Sequence, residues 1–144
     1  MEKTPHFLAV LWAGALLGGS FIAAPAKFTV ETLSTAELLA VGRAQFHALA
    51  WAELALAVAL LAALLWRRPR RWWLAAVPIV IFAEQQLVLM PALDDRTLAR
   101  IAGDSVEDSP LHLVYVVLET LKLLSLIALA FYWQPRRPKE PRHG

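Results

Sequence analysis

The chain alternates between four long apolar runs and three short polar segments. Each run is long enough to cross a hydrocarbon core of about 30 Å as a helix, which takes about 20 residues. The sequence therefore predicts an all-α, polytopic membrane protein built as a four-helix transmembrane bundle. The predicted spans are residues 7–26, 44–66, 72–92 and 111–133, within a single membrane domain at 1–134 that is followed by a basic, Pro-rich cytoplasmic tail at 135–144.

Local signals predict where the second helix begins and where it breaks. Ser34 and Glu37 have the spacing of a capping box, which starts a helix near residue 35. Run on to Trp66, that helix would be about 48 Å long at 1.5 Å per residue. It should therefore protrude from the bilayer, tilt or break, and Gly42 is the predicted position of a break.

Two other local features follow from single residues. Gly14 and Gly18 are four residues apart in the first span, a spacing that lets another helix approach closely. In the polar segment after the third span, Asp94 and Gly103 predict a short separate helix at about 95–102, capped by the aspartate and ended by the glycine.

Composition supports the membrane class. Hydrophobic residues make up 58% of the 144-residue chain, more apolar surface than a soluble domain of this length could bury. The chain has no cysteine. A disulfide, a thiolate nucleophile and an iron–sulfur cluster are therefore excluded.

Basic residues concentrate at one end of the predicted bundle. Nine Lys or Arg residues belong to the chain termini and to the segment "RRPRR" at 67–71, which we call the basic end. The opposite end, formed by 27–43 and 94–108, carries four bases and seven acids, and we call it the acidic end. Because cytoplasmic loops are rich in Lys and Arg, this pattern predicts a multi-pass protein of the cell inner membrane with both termini in the cytoplasm. Orientation alone explains the net charge of +2, so no nucleic-acid partner is expected.

The fourth span carries a polar stripe. In "PLHLVYVVLETLKLL", the residues His112, Tyr115, Glu119 and Lys122 fall within one arc of about 80° when the helix turns 100° per residue. A face with this composition should not contact lipid. It should look into the bundle.

Other spans place polar residues at a similar depth. Glu53 lies near the centre of the second span, and Glu84, followed by Gln85, lies near the centre of the third. Each charge at that depth costs ~2.5–3.5 kcal/mol, so these groups should face inward and be paired. Three carboxylates against Lys122 leave two negative charges in excess. Protonation, a bound cation or Arg43 reaching in from the acidic end should remove them.

The leading hypothesis is small-solute binding or proton-coupled transport through a midplane polar pocket open to the outer side. The predicted ligand-binding or proton-relay residues are Arg43, Glu53, Glu84, Gln85, Tyr115, Glu119 and Lys122. The structural alternative is that Glu119 and Lys122 form only a salt bridge that supports helix packing. Ser/His/Asp catalysis has no nucleophile elbow to support it, so an enzyme is less expected than a binding protein.

Two further hypotheses involve cofactors and partners. His47 and His112, predicted at matching depth on facing helices, could ligate a haem or a transition metal, although the Glu-x-x-His motif of di-iron bundles is absent. No cofactor is the primary expectation. Alternatively, the chain is an accessory subunit whose Gly14–Gly18 face and charged stripe dock on a larger complex. Besides membrane lipid, a homo-oligomer or a partner membrane subunit is expected, since one bundle of this size is small for an autonomous transporter.

Several segments resemble a known family. These are "GGSFIAAPAKFTVETLS", "VGRAQFHALAWAEL", "EQQLVLMPALD" and "PLHLVYVVLETLKLLSLIAL", which together cover most of residues 10–130. They resemble a family of small four-span bacterial integral membrane proteins, distantly similar to the eukaryotic four-span protein linked to cisplatin resistance. The position of Glu119 is more often Asn-like in the distant relatives, so the charged pair is a departure. The resemblance implies a four-span membrane protein and no particular reaction.

Overall fold

Four long helices account for most of the computed structural model, which describes residues 4–68 and 71–133, without the side chain of Arg67. We number them α1 (Thr4–Thr29), α2 (Thr35–Arg67), α3 (Trp72–Ala102) and α4 (Leu111–Tyr132). All four are long and apolar enough to cross a membrane. Within the described residues, the prediction of an all-helical fold with four helices of membrane-spanning length and hydropathy is therefore confirmed. The predicted tail at 135–144 lies outside the described residues.

Two of these helices are not α-helical throughout. α1 contains a π-helical segment at Leu17–Ala23 and closes with a 3₁₀ turn at Lys27–Thr29. α3 opens with a 3₁₀ turn at Trp72–Ala75 and contains a π-helical segment at Gln85–Leu89. Both π segments lie in the interior of a helix, and such segments are frequent at functional sites.

The start of α2 agrees with the prediction, whereas its continuity does not. The Ser34 hydroxyl accepts from the Glu37 backbone N–H and the Glu37 carboxylate accepts from the Ser34 backbone N–H, which confirms the capping box. The predicted break at Gly42 is wrong, because α2 runs unbroken from Thr35 to Arg67. Gly42 instead leaves room for the side chain of Lys27, since a Cβ at this position would overlap its Nζ atom.

The predicted short helix at 95–102 is also wrong as a separate element. The backbone of Met90–Ala102 continues the third helix without interruption. Asp94 does not cap it, because its carboxylate binds Arg43 of α2. The predicted end is confirmed, since Gly103 adopts a left-handed conformation with φ of 92° just after the last helical turn.

The helices form a ring in which α1 and α3 each contact both α2 and α4. The predicted close approach at Gly14 and Gly18 is wrong, because a Cβ at either position would meet nothing within 4 Å. Close packing occurs one residue further on, where a Cβ at Gly19 would lie 3.0 Å from a methyl group of Leu49. Gly18 and Gly19 belong to the π segment, which shifts the position that faces α2.

The two halves of the bundle are filled differently. The half towards the basic end holds an apolar core, in which Trp12, Leu16, Leu60 and Leu126 are fully buried. The half towards the acidic end contains a cavity. Polar side chains lie at the boundary between the two halves.

Candidate ligand-binding site

Four polar side chains are buried at the middle of the bundle. Glu53, Gln85, Glu119 and Lys122 are each 2% exposed or less, and we call them the buried cluster. They come from α2, α3 and α4, with Glu119 and Lys122 one turn apart on the last of these helices. The sequence prediction that these four positions face inward agrees with this arrangement.

Lys122 is at the centre of the buried cluster. Its ammonium group lies 2.6 Å from a carboxylate oxygen of Glu53 and 2.9 Å from one of Glu119. It also donates to the amide oxygen of Gln85 at 2.7 Å. An ammonium group has three donors, so these three acceptors satisfy it completely.

α1 contributes two further hydrogen bonds. The indole N–H of Trp12 donates to Glu53 Oε2 at 2.9 Å, and the hydroxyl of Ser20 donates to Glu119 Oε1 at 2.6 Å. The amide of Gln85 donates to the other oxygen of Glu119 at 2.9 Å. The network therefore joins all four helices.

Trp12 and Ser20 were not among the residues predicted from the sequence. Two signals were available: Ser20 is a polar residue in an apolar run, and a buried indole N–H such as that of Trp12 needs a hydrogen-bond partner.

The buried cluster carries an unbalanced charge. When both carboxylates are ionised, Glu53 and Glu119 exceed Lys122 by one negative charge. A buried charge without compensation is costly, so the cluster needs one proton or one cation in addition to its own residues. The excess is one charge smaller than the sequence predicts, because Glu84 does not participate.

The placement of Glu84 corrects the prediction that it faces inward. Its side chain is exposed on the outer surface of α3, while the next residue, Gln85, is fully buried. Successive helical residues point about 100° apart, so both could not enter the same small cluster. Glu84 lies instead on an apolar surface with Val80, Leu87 and Val88, all more than 60% exposed.

A cavity of about 400 Å³ lies between the four helices on the acidic-end side of the buried cluster. Glu119 and Ser20 form its floor, so the cavity and the cluster are in direct contact. Its walls are mostly apolar. The residues that line it are Ser20, Phe21, Ala24, Pro25, Lys27, Phe28, Leu39, Gly42, Arg43, Phe46, Met90, Leu93, Asp94, Thr97, His112, Tyr115, Val116 and Glu119.

An ion pair closes one side of the cavity near its mouth. Arg43 donates two hydrogen bonds to Asp94, at 2.5 Å and 2.9 Å. His47 Nε2 lies 3.3 Å from the same carboxylate. The predicted role of Arg43 as a counter-charge for the midplane carboxylates is therefore wrong, because Asp94 pairs with it at the acidic end.

Tyr115 lies above the floor of the cavity. Its ring packs edge to face against Phe46, with centroids 5.7 Å apart. It is buried, and it joins the lining of the cavity. The polar stripe predicted for the fourth span is thus divided between the cavity, which holds His112 and Tyr115, and the buried cluster.

Lys27 is a wall residue that the sequence interpretation did not single out. Its ammonium group lies 5.1 Å from the ring centroid of Phe28 and 5.6 Å from that of Phe46, within range of cation–π attraction. Within residues 4–68 and 71–133, no carboxylate lies within 4 Å of it. The available signal was a lone lysine at the end of an apolar run.

The two predicted metal or haem ligands have separate surroundings. His47 contacts Asp94, and His112 is exposed and lines the cavity. Among the described residues, no group of three or more His, Cys, Asp or Glu side chains is arranged to hold a metal ion.

No protein-family model, curated protein or solved structure matches the chain. The resemblance to the small four-span bacterial family stays a prediction. The fold alone defines the class, which is a helical protein with four candidate membrane spans.

Proposed function

We propose that this protein binds a small amphipathic molecule in the cavity between its four helices. The cavity of about 400 Å³ carries the proposal. Sites for small molecules typically have about 300–1,000 Å³, apolar walls and a few polar groups that fix orientation. This cavity has aromatic and aliphatic walls, with Glu119 and Ser20 at its floor and Lys27 and Arg43 nearer its mouth.

In the proposed orientation, both termini are cytoplasmic and the cavity faces the outer side of the cell inner membrane. The basic residues of 67–71 support this orientation through the positive-inside rule. The packed apolar core below the buried cluster supports binding from one side of the membrane. Transport would require that core to open, so binding is the function that the geometry supports best.

The proposed binding event is coupled to a proton in the buried cluster. Glu119 belongs both to the cavity floor and to the cluster, which needs one proton or cation to balance its charge. A ligand group that contacts Glu119 changes the charge around that carboxylate. Ligand binding and proton occupancy should then influence each other, as any two linked equilibria do.

The first experiment tests whether filling the cavity with a large side chain prevents the purified protein from retaining a bound small molecule. Val116 lines the cavity, and its neighbour Val117 on the same helix does not, although both side chains are partly exposed, at 39% and 49%. Protein purified gently from membranes is extracted with organic solvent, and the extract is compared by mass spectrometry. We expect a small molecule that wild type and Val117→Trp retain and Val116→Trp does not. Identical extracts from both variants would contradict the proposal.

The second experiment tests the coupling. Glu53→Gln removes the surplus charge and keeps an oxygen that can accept from Trp12. It should therefore flatten the pH dependence of ligand binding. Glu84→Gln is the matched control, because that carboxylate lies outside the cluster. The same pH dependence in wild type and Glu53→Gln would refute proton coupling while leaving ligand binding intact.

Glu84 favours a second candidate function, that of a subunit in a larger membrane assembly. A carboxylate surrounded by Val80, Leu87 and Val88 is costly in contact with lipid. A partner helix with a basic side chain would relieve that cost. A photocrosslinking residue placed at position 84 should give a stoichiometric crosslinked product in membranes. Equal crosslinking from position 124, which is also exposed, would count against a specific partner.

A further inference from the structure

The cavity has two cations near its mouth, and they differ in their surroundings. Arg43 is neutralised by two hydrogen bonds from its guanidinium group to Asp94. Lys27 has no carboxylate within 4 Å among the described residues, and its ammonium group lies within 6 Å of the ring centroids of both Phe28 and Phe46, at 5.1 Å and 5.6 Å. The cavity mouth therefore carries one positive charge that no side chain in the described part of the chain balances by direct contact.

Gly42 positions that charge. The Lys27 side chain crosses α2 at Gly42, where a Cβ would overlap the Nζ atom. Only the far end of a flexible side chain would be displaced, so a larger residue at this position would move the ammonium group without disturbing the helices. The absence of a side chain at Gly42 is what allows Lys27 to reach the wall of the cavity.

We propose that the cavity ligand is an amphipathic anion whose head group binds Lys27 and whose apolar body lies along Phe28 and Phe46 towards the floor. This inference rests on the proposed binding function and adds the chemical class of the ligand. A carboxylate, sulfonate or phosphate head group would form a charge-assisted hydrogen bond with the ammonium group. Such an anion could enter from solution, or it could be the head group of an anionic lipid from the bilayer.

Three compounds with one apolar body test the charge preference. They are 4-phenylbutyrate, its neutral amide and the corresponding amine, which is cationic. Binding to wild-type protein in phosphatidylcholine nanodiscs is measured by titration calorimetry, with empty nanodiscs subtracted. We expect the carboxylate to bind at least about tenfold more tightly than the amide, the size of effect expected for a hydrogen bond to a charged group. The amine should bind most weakly.

Variants then assign the preference to Lys27. Lys27→Gln should weaken carboxylate binding about tenfold and leave amide binding unchanged. Gly42→Ala keeps the charge but displaces it, so it should also reduce the preference for the carboxylate. Gly14→Ala is the same substitution in a helix with open space around it, and Arg100→Gln removes an exposed cation that does not line the cavity. Both controls should behave as wild type.

A second bilayer distinguishes the two sources of the anion. In nanodiscs that contain phosphatidylglycerol, a bound lipid head group would compete with 4-phenylbutyrate in wild type but not in Lys27→Gln. Equal affinity in both bilayers would identify a dissolved anion, and either result supports an anionic ligand at Lys27.

The results that would contradict the anion inference can be told apart from those that would contradict small-molecule binding itself. If all three compounds bind equally and Val116→Trp abolishes their binding, the cavity binds small molecules and the anion inference is wrong. If Lys27→Gln binds the carboxylate as well as wild type does, Lys27 is not the recognition residue. If none of the three compounds binds and the extracts of Val116→Trp and Val117→Trp also agree, both the anion inference and the proposed binding function are wrong.

Discussion

Replacing Lys122 with methionine removes the centre of the buried cluster. Methionine has a similar length and no charge, so the change leaves little empty space. Glu53, Gln85 and Glu119 would each lose the hydrogen bond that the ammonium group donates. Two buried carboxylates would then remain without a cation. We expect Lys122→Met to destabilise the fold strongly.

The magnitude follows from the contacts that are lost. Two of the three hydrogen bonds cross between helices, and at about 0.6–1.7 kcal/mol each in a membrane they amount to roughly 1–3 kcal/mol. Removing one partner of a buried ion pair costs about 3–5 kcal/mol in soluble proteins, because the other charge stays buried. We therefore expect a loss of about 3 kcal/mol in the free energy of unfolding, a factor of roughly 100 in the folded-to-unfolded ratio.

The assay is unfolding by titration with sodium dodecyl sulfate in mixed micelles, followed by circular dichroism. Leu121→Met is the matched control, because it introduces the same side chain at an exposed position on the same helix. The double variant Glu53→Gln/Lys122→Met restores part of the charge balance. It should be more stable than the sum of the two single changes predicts, by about 1 kcal/mol, as expected for residues in contact.

Two outcomes would refute this reasoning. A loss for Lys122→Met of less than about 0.5 kcal/mol, the usual range for surface substitutions, would mean that Lys122 is not holding the carboxylates together. Strict additivity in the double variant would mean that Glu53 and Lys122 act independently. Either result would remove the charge argument for a proton in the cluster.

Two further predictions concern stability away from the cluster. Ser34→Ala removes the capping box of α2 and should lower the free energy of unfolding by about 1 kcal/mol in the same titration. It should not affect ligand binding, and a change in ligand binding would contradict the expectation that the helix cap and the cavity act independently. Gly19→Leu should destabilise the bundle, because even a Cβ there lies 3.0 Å from Leu49, whereas Gly18→Leu should not, because that position opens to empty space. Equal losses for the two leucine variants would argue against close packing at Gly19.

The sequence was sufficient for the architecture and for one helix of the site. Run length and hydropathy identify the four helices, since a span needs a nearly continuous apolar stretch. The three-residue separation of Glu119 and Lys122 places both on one helical face, where the structure has them. The depth of Glu53 also identifies it as a partner of Lys122, because both residues lie within a few positions of the centre of their spans.

Other features depend on information that the sequence does not display. Glu84 and Gln85 lie at nearly the same depth, so choosing between them requires the rotation of α3 about its axis, which the π segment alters. The pairing of Arg43 with Asp94 depends on α3 continuing beyond its apolar run. The cavity is space that side chains from four helices leave unfilled, and no local pattern encodes it.

The π-helical segment Gln85–Leu89 gives α3 a tolerance to loss of one residue that the continuous α-helix α2 does not have. A π turn closes its hydrogen-bonded ring over one residue more than an α turn. Deleting one residue between 86 and 89 would therefore allow ordinary α-helical bonding and leave the residues beyond it facing nearly the same way. Asp94 should still reach Arg43, and Phe82 should keep its place in the core. The same deletion in α2 between Arg43 and Glu53 would rotate one of these residues relative to the other by about 100°, so it should separate the mouth of the cavity from the buried cluster.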